Sequence, residues 1–148
     1  MELTECINFL LSVSQNKVFK QFSNELDQYH VTPAQYGVLN CLWKHDTLAP
    51  RRIAEMLHLE PSTVSGILDK MQQADLIDRS VDVTNRRNVL VRCTQKAIAL
   101  QTDIEATVAE LNQSLTQHAS REELDIVRQV LIGIIQQDNK MQDTSVAE

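Results

Sequence analysis

The sequence predicts a mainly α-helical chain that carries one small β-hairpin. Three observations predict it. Only three Gly and three Pro occur in 148 residues, and so few chain-breakers favour helices, whose interiors tolerate neither residue well. Apolar residues recur at spacings of three and four near both ends of the chain, the period of an amphipathic helix. One pair of short runs is of β type: Leu76-Ile77-Asp78-Arg79 and Val89-Leu90-Val91-Arg92. The polar stretch from Ser80 to Asn88 separates them, as in a hairpin with a long, charged tip.

The elements follow in order. Leu3, Ile7, Leu10, Leu11, Val18, Phe22 and Leu26 predict one long amphipathic helix from about Glu2 to Tyr29. A helix with so broad an apolar face must pack on something. Thr32-Pro33-Ala34-Gln35 is a capping box with proline at the first helical position, and it opens a second helix running to about Trp43. Leu48-Ala49-Pro50 reads as a short break. Arg51 to Leu57 predicts a short helix, His58-Leu59 a turn, and Glu60-Pro61 the start of another helix to about Ala74. After the hairpin, Ile104, Val108, Leu111 and Leu115 form a coiled-coil-like seam. Ser120-Arg121-Glu122-Glu123 is a second capping box. It opens a last helix with Leu124, Val127, Leu131, Ile134 and Ile135 on one face, and the chain from about Gln142 is a polar tail.

Composition narrows the class. The net charge is -6, but residues 31–100 hold nine Lys/Arg against seven Asp/Glu, whereas residues 101–148 hold three against nine. A mildly basic middle and an acidic end suit a nucleic-acid module joined to a module of another kind. Cys6, Cys41 and Cys93 are scattered and odd in number, which argues against a disulfide framework and a zinc site. His30, His45, His58 and His118 have no metal-ligand spacing, so neither metal nor cofactor is expected. No apolar run is long enough to cross a bilayer. No basic region leads into an apolar stretch at the N-terminus, so a cytoplasmic protein without a signal peptide is expected. Ser/His/Asp order, a Gly-rich phosphate loop and partnered carboxylates are all missing, so an enzyme is not expected.

A short helix, a turn, a second helix and a hairpin make a winged helix-turn-helix, and each part has chemistry suited to DNA. The second helix of such a motif lies in the major groove. Its expected outer face carries Ser62, Thr63, Ser65, Asp69 and Lys70. Small hydroxyls let the backbone approach the duplex and can donate to phosphates or base edges. Gly66 costs a helix interior about 1 kcal/mol relative to Ala. Close approach to a neighbouring helix or to DNA would explain it. Arg86 and Arg87 on the hairpin tip suit the negative potential of the narrow minor groove. Arg51, Arg52 and Arg79 are candidates to hold phosphates. Taken singly, each of these is also an ordinary surface residue or helix start; the ordered combination carries the reading.

On these residues the chain resembles the MarR family of bacterial transcription regulators. The resemblance rests on V-T-P-A-Q-Y-G-V-L at 31–39, R-I-A-E-M-L-H-L-E-P-S-T-V-S-G-I-L-D-K-M at 52–71, L-I-D-R at 76–79 and N-R-R-N-V-L-V-R-C-T at 85–94. It implies a triangular homodimer on a pseudo-palindromic double-stranded site, with recognition helices in major grooves about 34–36 Å apart. It also implies a repressor that releases DNA when a small molecule binds between the dimer region and the lobes. The implied organisation is a dimerisation helix at 1–30, a winged lobe at 31–94, dimerisation helices at 95–142 and a polar tail at 143–148. Three positions depart from the family pattern. Asn85 replaces the wing acid that orients an arginine, with Asp82 as the candidate substitute. Asp75 stands for the glycine after the recognition helix, and Ala97 for the glycine after the wing.

The signal admits two readings, and a third drops DNA altogether. The N-terminal half is similar to the organic-hydroperoxide-sensing branch, but Asn8 occupies the position of that branch's sensor cysteine, and Phe22 and Pro33 occupy its tyrosine positions. Cys6 lies two residues earlier and faces elsewhere on a helix. It is either an oxidisable thiol or a small residue within an interface. The other reading is a small-molecule ligand such as an aromatic acid, held by Tyr29, His30, Tyr36, Asn40 and Trp43, of which the last three share a helix face. Tyr36 and Trp43 are otherwise plain core. A helical protein-interaction module without DNA contact would explain the acidic end but not the basic wing.

Overall fold

The computed structural model describes residues 1–141, and their side chains through 137. The polar tail expected at 143–148 lies outside the described residues. Six helices and a small sheet follow in the order α1 (Ile7–Asp27), α2 (Pro33–His45), β1 (Thr47–Leu48), α3 (Pro50–Leu57), α4 (Pro61–Gln73), β2 (Ile77–Val81), β3 (Val89–Cys93), α5 (Gln95–Leu115) and α6 (Arg121–Met141). The chain divides into two compact units, Met1–Ala109 and Glu110–Glu148.

The helix starts are written in the sequence. All three prolines of the chain stand at the first position of a helix: Pro33, Pro50 and Pro61. A first-turn residue has no intrahelical partner for its N–H, so proline loses nothing there. Thr32 accepts from the Gln35 amide while the Gln35 side chain accepts from the Thr32 amide, closing the expected box. Ser120 and Glu123 close the second one in the same way.

Two expectations are corrected. The first helix does not run unbroken from Glu2: Leu3–Glu5 is a single 3-10 turn, Cys6 is extended, and the α-helix begins at Ile7. The break before Pro50 contains a strand. Thr47 and Leu48 pair antiparallel with Arg92 and Val91, so the wing is a three-stranded sheet in the order β1-β3-β2. The hairpin itself keeps its register, with Ile77 opposite Cys93 and Val81 opposite Val89.

The helix ends are less legible because no glycine marks them. His30, His58 and Asp75 all have positive φ, and no glycine does. Each sits in a Schellman arrangement: the amide of the next residue reaches back to the carbonyl of Leu26, Ala54 and Met71 respectively. The left-handed conformation at such a position suits glycine; an L-residue pays about 1–2 kcal/mol for it. Asp75 thus supplies the turn for which the family uses glycine, with its carboxylate at the negative end of α4. Replacing it, Asp75→Gly, is expected to stabilise the fold by about 0.5–1 kcal/mol after the added unfolded-state entropy is subtracted. A denaturant midpoint that falls instead would show that the Asp75 side chain contributes more than its strained backbone costs.

The core lies in the first unit. Leu26 of α1, Val38, Leu39 and Leu42 of α2, Ile53 and Ala54 of α3, and Val64, Leu68 and Met71 of α4 close around Leu76, Ile77, Val91 and the α5 residues Ala97, Ile104 and Val108. On α4 the buried positions are spaced four and three apart, one stripe of the helix. That stripe fixes which face of α4 turns outward.

In the second unit no residue from 110 to 137 is fully buried. Val127, Leu131, Ile134 and Ile135 of α6 are all exposed, as are Ile126, Val130 and Ile132. The apolar row of α1 is similar, with Ile7, Leu10, Leu11, Val18 and Phe19 exposed.

Candidate nucleic-acid interface

The outer face of α4 is small and polar because its inner face is fully used. With Val64, Leu68 and Met71 buried, Ser62, Thr63, Ser65, Gly66, Asp69 and Lys70 are exposed, as the sequence predicts. Glu60 makes no side-chain cap, so the first-turn amides stay open to an anion.

Arg79 of β2 is tied down. Its guanidinium donates to the Asp69 carboxylate at 2.8 Å, and its side chain is 27% exposed. The sequence shows both residues but not their pairing, which joins the wing base to the recognition helix. Arg79 therefore reaches the surface as half of an ion pair rather than as a free cation. Because Asp69 is mostly exposed, the pair is screened and worth little. The variant Asp69→Asn is expected to lose about 0.5–1 kcal/mol of stability at low ionic strength and less at about 1 M salt. Denaturant titrations at the two salts measure this; an equal loss at both would mean the pair is not screened.

Arg51 and Arg52 lie in the first turn of α3, and both approach Glu55, at 3.6 and 3.2 Å. These pairs are exposed and offer little resistance to a competing phosphate. Two arginines in a first turn oppose the helix dipole, and a phosphate placed there would reverse that penalty.

The wing tip is built from side-chain turns. Asp82 accepts from both the amide and the hydroxyl of Thr84, which holds its carboxyl below the usual carboxylate range. Asp82 therefore shapes the turn; it does not orient an arginine in place of the family's acid. Asn85 accepts from the Arg87 amide, so the family's acid is replaced by an amide that fixes backbone. Arg86 and Arg87 are exposed, and neither has an acidic partner among the described residues.

The five candidate ligand residues separate. Tyr36, Asn40 and Trp43 do share a face of α2: the Asn40 amide donates to the Tyr36 hydroxyl at 3.4 Å, and the two rings meet edge to face. Phe22 of α1 tilts against Tyr36 at 5.5 Å between centroids. Burial pushes the Tyr36 hydroxyl up, and the Asn40 hydrogen bond partly offsets this. Trp43 donates its indole N–H to the Ala97 carbonyl, and the Tyr29 hydroxyl bonds Thr107 at 2.7 Å, so both hold α5 in place. His30 lines a different, open cavity of about 500 Å³ with Ser23, Asn24, Asp27, Val31 and Thr32. The partners on α5 lie more than 50 residues away in sequence, which is why spacing within one helix did not reveal them.

The three thiols differ. Cys6 sits half-exposed at the start of α1, Cys41 is buried, and burial pushes the half-buried Cys93 thiol up to about 11. Burial raises the Cys41 thiol as well, so neither Cys41 nor Cys93 is a ready nucleophile.

A short helix, a turn, an outward-facing helix bearing small polar groups, and a wing with two unpaired arginines define a winged helix-turn-helix transcription regulator. The comparisons agree. The chain belongs to the MarR family: the family's model matches residues 31–89. The organic hydroperoxide resistance transcriptional regulator of Bacillus subtilis (strain 168) is 33% identical over 116 residues, 76% of this chain and 79% of that protein. Among solved structures, the transcriptional repressor CouR bound to a 23-mer DNA duplex superposes with a TM-score of 0.84 at 26% identity, covering 90% of this chain and 95% of that one. CouR from Rhodococcus jostii RHA1 bound to p-coumaroyl-CoA gives a TM-score of 0.82 at 24% identity, covering 90% and 94%. The protein is a regulator and not an enzyme.

Proposed function

We propose that the chain acts in the cytoplasm as a homodimeric repressor of a pseudo-palindromic duplex site. The observation that carries this is the pairing of an outward α4 face with two wing guanidiniums that have no acidic partner among the described residues. Ser62, Thr63, Ser65 and Lys70 enter the major groove, Arg86 and Arg87 the minor groove, and Arg51 and Arg52 exchange Glu55 for phosphates. Arg79 supports the base of the wing through its ion pair with Asp69. A second copy of the chain covers the apolar rows of α1 and α6, because exposed rows of that length are rare on a monomer.

A small molecule with an aromatic ring releases the DNA by seating beside Tyr36 and Asn40, where the Phe22 and Trp43 rings form apolar walls. Tyr29 and Trp43 transmit its presence through their bonds to α5. A release of this kind is a coupling between two sites of about 1–3 kcal/mol. The p-coumaroyl-CoA complex of CouR supports an aromatic acyl compound as the ligand class.

The test is a fluorescence-anisotropy titration against the chain's own upstream DNA and a scrambled duplex at two salt concentrations, repeated with a panel of aromatic acids. The reading expects tight, salt-dependent preference for the upstream DNA, two chains per duplex, and weakening by at least one acid. Absence of binding at low salt in a reduced dimer would sink the regulator reading and leave a helical interaction protein.

A further inference from the structure

Gly66 has no structural reason to be glycine. Its φ is not positive. A Cβ built on it meets nothing within 4 Å, in contrast to Gly37, where it would meet the Leu57 side chain at 3.2 Å. Both intramolecular uses of a helical glycine, a left-handed turn and close packing on a neighbour, are therefore absent. The residue nonetheless makes α4 a poorer helix than Ala would. Its place on the helix is specific. The buried stripe is Val64, Leu68 and Met71, and Ser62, Gly66 and Asp69 follow one another at four and three on the opposite side. Gly66 thus sits midway along the ridge of α4 that stands furthest from the core.

We propose that Gly66 sets the depth at which α4 seats in the major groove: a base-pair edge meets the helix backbone at this position, and the space it fills is that of the missing Cβ. The inference rests on the DNA-binding reading above and deepens it. The ridge around Gly66 is short, with the Ser62 hydroxyl on one side and Asp69 on the other, the latter drawn to Arg79 at 2.8 Å. On the N-terminal side of Gly66 only the short side chains of Ser62, Thr63 and Ser65 stand beside it, and the long, flexible Lys70 lies one turn further on, so the backbone at Gly66 can approach the groove floor and a single added methyl there is felt as overpacking. The negative charge of the duplex is met by Arg51 and Arg52 at the phosphates and by the wing arginines in the minor groove, so Gly66 contributes to the specific mode of binding and not to the charge-driven, non-specific one.

Gly66→Ala tests this, using a duplex selected from a random pool by the wild-type protein. The variant is expected to fold with an unfolding midpoint about 2–4 °C higher, since the methyl enters open space and Ala favours the helix. Its affinity for the selected duplex is expected to fall at least about tenfold. Its affinity for a scrambled duplex, and the slope of affinity with salt, stay as in the wild type. A variant that binds the selected duplex within threefold of wild type removes the inference alone. So does a lowered midpoint, which would assign the glycine a role within the fold. If the wild type enriches no sequence, the regulator reading falls and the inference with it.

Discussion

Replacing Arg86 and Arg87 together by Ala is expected to lower affinity for the operator about a hundredfold and to flatten its dependence on salt. The wing tip holds both guanidiniums in solvent without an acidic partner among the described residues, so nothing within the chain neutralises them before DNA arrives. Each arginine that meets the backbone or the minor groove is worth about 1–2 kcal/mol, and about 1.4 kcal/mol is a factor of ten. Each phosphate neutralised contributes about 0.9 to the slope of log affinity against log salt, so the double variant loses nearly 2. The fold does not depend on them: the tip is held by Asp82 on Thr84 and by the Asn85 carbonyl on the Arg87 amide, and the latter uses only backbone of Arg87. Anisotropy at several salt concentrations measures both quantities. An unchanged slope would place the wing away from the duplex.

Leu131→Asp is expected to convert the proposed dimer to monomers and to remove most of its DNA binding. Leu131 lies on the α6 row with Val127, Ile134 and Ile135, and that unit buries none of its own side chains between 110 and 137. A row of this kind is stable in water only when another surface covers it. An unpaired carboxylate placed in such an interface costs about 3–5 kcal/mol, and twofold symmetry introduces it twice. The winged lobe is expected to keep its structure, because among the described residues every fully buried one lies at or before Val108. Monomeric lobes then bind half-sites singly and forfeit the gain from linkage, about 10²–10⁴ in affinity. Sedimentation velocity with circular dichroism checks both parts. A variant that still sediments as a dimer at wild-type concentrations would place the interface elsewhere.

Much of this is legible in the chain itself, and the legible part has a common cause. Helix starts were visible because proline at the first position and a Thr or Ser three residues before Gln or Glu act within one turn. The recognition helix was visible because Val64, Leu68 and Met71 repeat at its own period. What stayed hidden depended on residues far apart in sequence. Strand β1 is two residues long and exists only through β3, some 44 positions later. Helix ends at His30, His58 and Asp75 carry no glycine, so their left-handed turns left no mark in composition. The expectation for Asp82 failed because its nearest donors, in Thr84, lie two residues away and claim it first.

The sequence by itself determined the family, the order of elements and the outward, polar face of α4. Those follow from local rules: periodicity, caps and the placing of charge. Tertiary structure alone decided which polar groups are free to act. It committed Arg79 to Asp69, Trp43 to the Ala97 carbonyl and Tyr29 to Thr107, and it left Arg86, Arg87 and the bare ridge at Gly66 open. A side chain's availability depends on what packing brings within about 3 Å of it, and that distance is set by the whole fold rather than by its neighbours in the chain.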